Sequence, residues 1–263
     1  SVIVLAIWFP AIHPGTINID TPWLVVDNPI LSDPSATILW RIFSDFSLPT
    51  RLSLGAEYLP VRDLSVWLGH RLFGTDFRWH HAQSLLWYVL ACCALLRILR
   101  LWFSPAIAFL LAAGFAVHPT HVENVVWLAS RKDVLSLCIS FWCLELLLKR
   151  KSMMLALSLA LIAYWAKNTA IIIPAIGVLL QTACPKAHAD SSANIGPKLS
   201  TAQWACWAIC FAAALGISMK LGSEVGMFAT RRGNTITEIL AISATAWGES
   251  LMTFAWPVSL SVL

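Results

Sequence analysis

Between His81 and Cys184 the chain alternates apolar runs of about 13–16 residues with short charged breaks, and this alternation restricts the fold more than any other feature. The runs are His81–Leu96, Trp102–Val117, Val134–Leu148, Met153–Trp165 and Thr169–Cys184. Arg97 and Arg100 close the first, Lys149-Arg-Lys151 the third, and a short turn at Lys167 separates the last two. Ser1–Ile12 and Trp204–Met219 add further apolar runs at either end. A soluble domain has no use for this pattern. Hydrophobic residues make up 58% of the 263 and charged residues 12%, with a mean hydropathy of +0.72. Soluble domains sit near about 45–50% and 25%. A net charge of +4 is too small to point to nucleic acid, and 14 Trp suit a chain with many headgroup-level anchors. The expected fold is an all-α polytopic membrane protein of about seven to eight transmembrane helices with a long, partly helical first external loop. Several runs are shorter than the roughly 20 residues of a free span, so flanking residues buried against protein must extend them.

The organisation follows from the breaks. Residues 1–12 read as the end of a first transmembrane helix, 13–79 as an external loop, and 80–184 as transmembrane helices. Residues 185–201 read as a flexible loop rich in Ser, Ala, Pro and Gly, and 202–263 as transmembrane or interfacial helices. Ile236–Trp256 is long enough to span but carries Glu238 and Glu249, leaving a span and a surface helix equally open. The chain begins inside an apolar run without Met and stops just after another, as a fragment of something longer would. Positive residues favour the cytoplasm, so Arg97, Arg100 and Lys149–Lys151, with Lys186 and Lys198, lie on that side. The first loop, His118–Asp133, Lys167 and residues 222–235 then share the external side. Within the first loop, Val61, Leu64, Trp67, Leu68 and Leu72 line one face of a helix, with Arg62, Asp63, Ser65 and His70 off it. Such a helix lies on a bilayer or packs against other protein. The seven Cys fall in or beside apolar runs and read as small buried hydrophobes.

The polar stretch His118–Asp133 holds two His, a Glu, an Asn, an Arg, a Lys and an Asp between two apolar runs. Groups that costly beside a membrane line a wet cavity or a surface. On one regular helix His121, Asn124 and Arg131 share a stripe while Glu123 points elsewhere, so some of these groups must face a partner loop. The His-x-x-His spacing invites a metal, yet without a fixed carboxylate it is a weak signal; an amphipathic connector at the headgroups is the plainer reading. Glu145 has a local partner in Lys149 and is not counted as a site. Lys167 is either a snorkelling lysine or an external cation. Most first-loop charges, Glu57 among them, read as solvated. Asp20 stands apart as the first carboxylate after the first membrane run, where a general base for a hydroxyl acceptor would sit.

The run His118-Pro-Thr-His-Val-Glu-Asn-Val-Val-Trp-Leu-Ala-Ser-Arg-Lys-Asp-Val-Leu135 resembles the "HPxHxExVxWxxxRKDxL" stretch of a membrane family. That family comprises bacterial TPR-linked membrane proteins and the animal transmembrane-and-TPR O-mannosyltransferases, which share a GT-C glycosyltransferase-like module. Asn18–Pro29 is similar to its "NxDDPxxVxxNP", Tyr58–Ser65 with Leu72-Phe-Gly74 to its "YxPVRxLS…LFG", Ala166–Ala170 to its "AKxxA/V" turn, and Trp256–Leu260 to its "WPxxLS". The resemblance implies a GT-C-like bundle, with TPR repeats expected C-terminal to it. It implies transfer of a mannose-like hexose from a polyprenyl-phosphate donor to a hydroxyl, of a protein Ser or Thr, on the external face. Asp20 is then the base of an inverting mechanism, and Arg131, Lys132, Lys167 and Arg62 hold the donor phosphate. His118, His121, Glu123, Asn124 and Asp133 shape the pocket. No resident cofactor is implied, a divalent metal is left open but not favoured, and the partners are membrane lipid, the lipid-linked sugar and a protein or glycan acceptor. The implied location is a bacterial inner membrane in preference to the endoplasmic reticulum. Thr21 stands where the family has a second acid, which motivates the alternative of a catalytically degenerate scaffold for TPR-mediated interactions. A transporter is the weaker third reading, because few ionisable residues fall at mid-membrane.

Overall fold

The computed structural model of the chain describes residues 2–12, 20–149, 152–183 and 200–225, with isolated positions between 235 and 253. Among the described residues every regular element is helical. Helices α1 (Val2–Trp8), α2 (Thr37–Ser44), α3 (Leu48–Ser53) and α4 (Pro60–Phe73) precede the bundle proper. It is built from α5 (Phe77–Leu99), α6 (Pro105–Ala116), α7 (Val122–Val126), α8 (Arg131–Lys149), α9 (Met153–Ala166), α10 (Ile173–Ala183) and α11 (Thr201–Glu224). By length and composition α5 and α11 can cross a membrane, and α6 with the segment Pro119–Val126 makes a third span broken by a 51° bend. The remaining helices fall short singly. Helix α9 is too short, and α8 carries Arg131, Lys132, Asp133, Glu145 and Lys149 at its ends. Most of Ile236–Trp256 and of the 185–201 loop lies outside the described residues. Helix α11 begins at Thr201, where Ser200 and Gln203 form a capping box.

Helix α8 is the axis of the bundle, packed against α5, α9 and α10. At one end Glu145, 3% exposed, accepts from Arg97 Nε of α5 at 2.8 and 2.9 Å and pairs with Lys149. The expected local pair is therefore half of a link between two helices, and it places Arg97 and Lys149 at the same end of the bundle. About 18–20 Å from Glu145 along α8, at 1.5 Å per residue over 12–13 residues, the opposite end of the helix carries Lys132 and Asp133. At the bend after α6, Trp8 Nε1 and Tyr88 Oη donate to the Ala116 carbonyl at 2.8 and 3.1 Å. That satisfies an acceptor the helix end would otherwise leave open. Of the cysteines, Cys92, Cys138 and Cys143 are buried as expected, but Cys206 and Cys210 are exposed on α11. Among the described residues, little packs on the apolar run around them on that side.

The first loop folds into a cap with its own core, in which Leu24, Leu31, Ile42, Leu54 and Val66 pack on Leu128 and Ala129 of the bundle. Asn28 ties its early turns, accepting from the N–H groups of Ile30 and Leu31 and donating to the Ser53 carbonyl at 2.6 Å. Helix α4 has its apolar stripe where the sequence places it. Its orientation is settled by burial: Arg62, Asp63, Ser65 and His70 are inside, while Leu68 and Leu72 are exposed. The polar face packs on protein and leaves Leu68 and Leu72 of the apolar face outward, while Trp67 stays half-buried against the cap core. The inward charges are tolerable because they are paired with each other, although Asp63 Oδ2 has no hydrogen-bond partner of its own. Arg62 Nε donates to Asp63 at 2.7 Å and its Nη2 to the Leu54 carbonyl. Arg51, also fully buried, donates to the carbonyls of Asp45, Arg41 and Ile42.

His70 Nε2 donates to the Val25 carbonyl at 2.6 Å, which joins α4 to the start of the loop. Burial holds its pKa below the usual 6.5. The unfolded chain therefore binds a proton that the folded chain refuses, so stability is full above pH 6.5 and falls as pH drops through that value. Thermal unfolding of the protein in nanodiscs between pH 7.5 and 5 is expected to show this loss. In His70→Gln, which keeps a donor without the titration, the slope is expected to be shallower. His80 and Arg131 face the same ring and stay in place in that variant. An unchanged slope would remove His70 from the effect.

Candidate functional site

The His118–Asp133 stretch is not one helix. A 3-10 turn (Pro119–His121) leads into α7, Trp127 is extended, a second 3-10 turn spans Leu128–Ser130, and α8 starts at Arg131. Pro119 favours such a start by its fixed φ. The breaks answer the aiming problem that a straight helix poses. Glu123 and Asn124 on α7 and Lys132 and Asp133 on α8 now line one cleft of about 370 Å³. Asp20 from the first loop and Lys167 from the end of α9 close it. Three elements far apart in sequence thus contribute to one polar concavity, at the loop end of the bundle.

Within the cleft the lysines are engaged. Lys132 Nζ is 2.6 Å from Glu57 Oε2, and Lys167 pairs with Asp133. Both pairs are about a quarter exposed, where exchanging one anion for another is cheap because exposed pairs hold only about 0–1 kcal/mol. Asp20 accepts from Trp23 Nε1 at 3.3 Å, which orients its carboxylate. The neighbouring Thr21 is fully buried, with no partner for its hydroxyl, so position 21 does not face the cleft. Glu57 is the residue that sequence reasoning passed over. The signal was Gly55, whose φ of +85°, followed by +66° at Ala56, turns the chain so that Glu57 meets Lys132. A side chain at Gly55 would also meet the Arg62 guanidinium at 3.2 Å.

A second, largely apolar cavity of about 320 Å³ shares Asn124, Asp133 and Lys167 with the cleft. It continues down α8 past Leu137 and Phe141 toward Ile173, a run of about 12 Å along the helix from Asp133. His121 lines this cavity, packed at 4.4 Å on Phe115 and 5.5 Å on Tyr88. His118 Nδ1 accepts from Thr120, and its ring stands 6.2 Å from His121. Among the described residues no three His, Cys, Asp or Glu side chains are grouped to hold a metal ion.

The structure places the other two expected cations away from the cleft. Arg131, 1% exposed, donates to the carbonyls of His80 at 2.9 Å and Ser65 at 3.3 Å and to Ser84 Oγ at 3.4 Å. It ties the start of α8 to α4 and α5. Arg62 is committed to Asp63 and Leu54. Both residues hold the walls that present Lys132, Asp133 and Glu57, rather than lining the cleft.

Known proteins share part of this chain. Over 127 residues it is 30% identical to protein O-mannosyl-transferase TMTC1 of Mus musculus and 29% identical to that of Homo sapiens, 46% of this chain in each case. Over 143 residues it is 27% identical to a protein O-mannosyl-transferase of Caenorhabditis elegans, 52% of this chain. The matched stretches span only 13%, 14% and 21% of those relatives. No family model matches the chain, and no solved structure does. Sequence comparison thus gives similarity to proteins named as O-mannosyltransferases, and the fold gives helices of membrane-spanning length.

Proposed function

We propose that this chain is the membrane module of a glycosyltransferase that moves a mannose-like hexose from a polyprenyl phosphate to a hydroxyl of a protein acceptor. The observation that carries the reading is the shared wall of Asn124, Asp133 and Lys167 between a polar cleft and an apolar cavity running down α8. A lipid-linked sugar phosphate needs such a junction, with its chain in the apolar part and its charged head in the polar part. Helices α8, α9 and α10 cross the membrane beside the longer spans, completing a GT-C-like bundle with the cleft on the external side. The location remains a bacterial inner membrane. In the reaction Asp20 removes the proton of the acceptor hydroxyl, and the oxygen attacks the sugar C1 from the face opposite the phosphate. The C1–O bond to phosphate breaks with its electron pair, and the leaving anion is held by Lys167 and Lys132, displaced from Asp133 and Glu57.

The test is transfer of radiolabelled mannose from polyprenyl-phosphate mannose to a threonine peptide by the protein in nanodiscs. The product is expected with the anomeric configuration opposite to the donor's. Lys167→Met is expected to lower the rate by about 10²-fold. Retention of configuration would sink the mechanism, and full activity in Lys167→Met would sink the phosphate role. The scaffold alternative draws on Thr21 in place of a second acid, but that position is buried and does not line the cleft, and any observed transfer excludes the alternative.

A further inference from the structure

A cavity of about 340 Å³ adjoins the polar cleft. Glu57 lines it while its partner Lys132 lines the cleft. Asn168 lines it while the preceding Lys167 lines the cleft. One ion pair and one peptide unit therefore form the partition. The walls are mostly apolar, from Tyr164, Ile171, Leu215, Met219 and Gly222. Tyr164 Oη meets Ser218 Oγ at 3.0 Å and fixes α9 against α11. Leu215 and Met219 are exposed, so the cavity opens beside α11. The side-chain oxygen of Asn168 is buried without a hydrogen-bond partner, an acceptor that an incoming N–H would satisfy.

We infer that this cavity is the acceptor subsite. An extended peptide places an apolar side chain between Tyr164, Leu215 and Met219, and donates a main-chain N–H to Asn168 Oδ1. Its neighbouring hydroxyl residue then enters the cleft past the Glu57–Lys132 pair. A lipid tail fits less well here, since it has no N–H for Asn168 Oδ1. The inference rests on the protein-acceptor reading above and adds to it a preference for an apolar residue beside the modified hydroxyl.

Two fluorescent capped hexapeptides test it, each with one threonine, flanked by leucine in one and by aspartate in the other. Binding to the protein in nanodiscs is read by anisotropy. The leucine peptide is expected to bind at least about tenfold more tightly. Leu215→Trp and Met219→Trp, which fill the cavity from an exposed helix face, are expected to remove that preference without changing the unfolding temperature. Asn168→Ala is expected to weaken both peptides about fivefold. Wild-type affinity in both Trp variants, equal binding of the two peptides, or displacement of the leucine peptide by a short polyprenyl phosphate would each overturn the inference. The two readings fail separately. Leucine-dependent binding without sugar transfer leaves the subsite standing and removes the enzyme, whereas transfer with an unchanged acceptor KM in the Trp variants does the reverse.

Discussion

Asp20→Asn is expected to lower sugar transfer by about 10²–10⁴-fold, the contribution of a positioned general base, with unfolding temperature and donor binding unchanged. The substitution keeps the volume and the oxygen that accepts from Trp23 Nε1, so only the ability to take a proton is lost. Donor binding is unaffected because Lys132 and Lys167, on other elements, keep their places. The control is Glu123, an exposed carboxylate on the same cleft. Glu123→Gln is expected to change the rate by less than about tenfold, as a group that tunes the field without transferring the proton. If Glu123→Gln abolished transfer and Asp20→Asn did not, the base would be Glu123. Thr21→Asp is not expected to add activity. Position 21 is fully buried, and an acid there would be desolvated and protonated.

What could be read in the sequence was whatever depends on local pattern. The apolar runs located the helices to within a few residues: the run His81–Leu96 lies inside α5, and Val134–Leu148 inside α8. The polar stretch before α8 was recognisable as a site because its charges had no apolar reason to be there. Which of those charges face the cleft was not legible. Lys132 and Arg131 are adjacent cations on one helix turn, yet one lines the cleft and the other is buried among carbonyls. The difference lies in the acceptors that α4 and α5 present to Arg131, and main-chain carbonyls leave no mark in a sequence. The same holds for α4. Its period gave the two faces correctly, but a polar face is assigned to water by default, and only the partners of Arg62 and His70 show it turned inward.

That inward face supports the second large effect. Asp63→Ala is expected to cost about 3–5 kcal/mol of folding stability, because it leaves the Arg62 guanidinium buried without its counter-ion. Arg62→Met is expected to cost a similar amount. It strands a carboxylate whose pKa burial already pushes up, and it frees the Leu54 carbonyl. Each single change leaves one member of the Arg62–Asp63 pair without its partner, whereas the double variant removes both, although buried Arg51 still loses the nearby Asp63 charge. The double variant is therefore expected to cost less than the sum of the two, with a coupling of about 1–3 kcal/mol in a denaturant-unfolding cycle. Additive costs would show that the pair does not act as a unit. The penalty of Arg62→Met is expected to shrink as pH falls. Its buried Asp63 has a folded pKa above 3.8, so the folded state takes up a proton before the unfolded chain does and gains stability toward acid. The double variant also separates stability from function. It lacks the guanidinium that packs against Gly55 and holds the turn to Glu57. Even where it folds well, the Glu57–Lys132 partition is expected to loosen and the acceptor KM to rise.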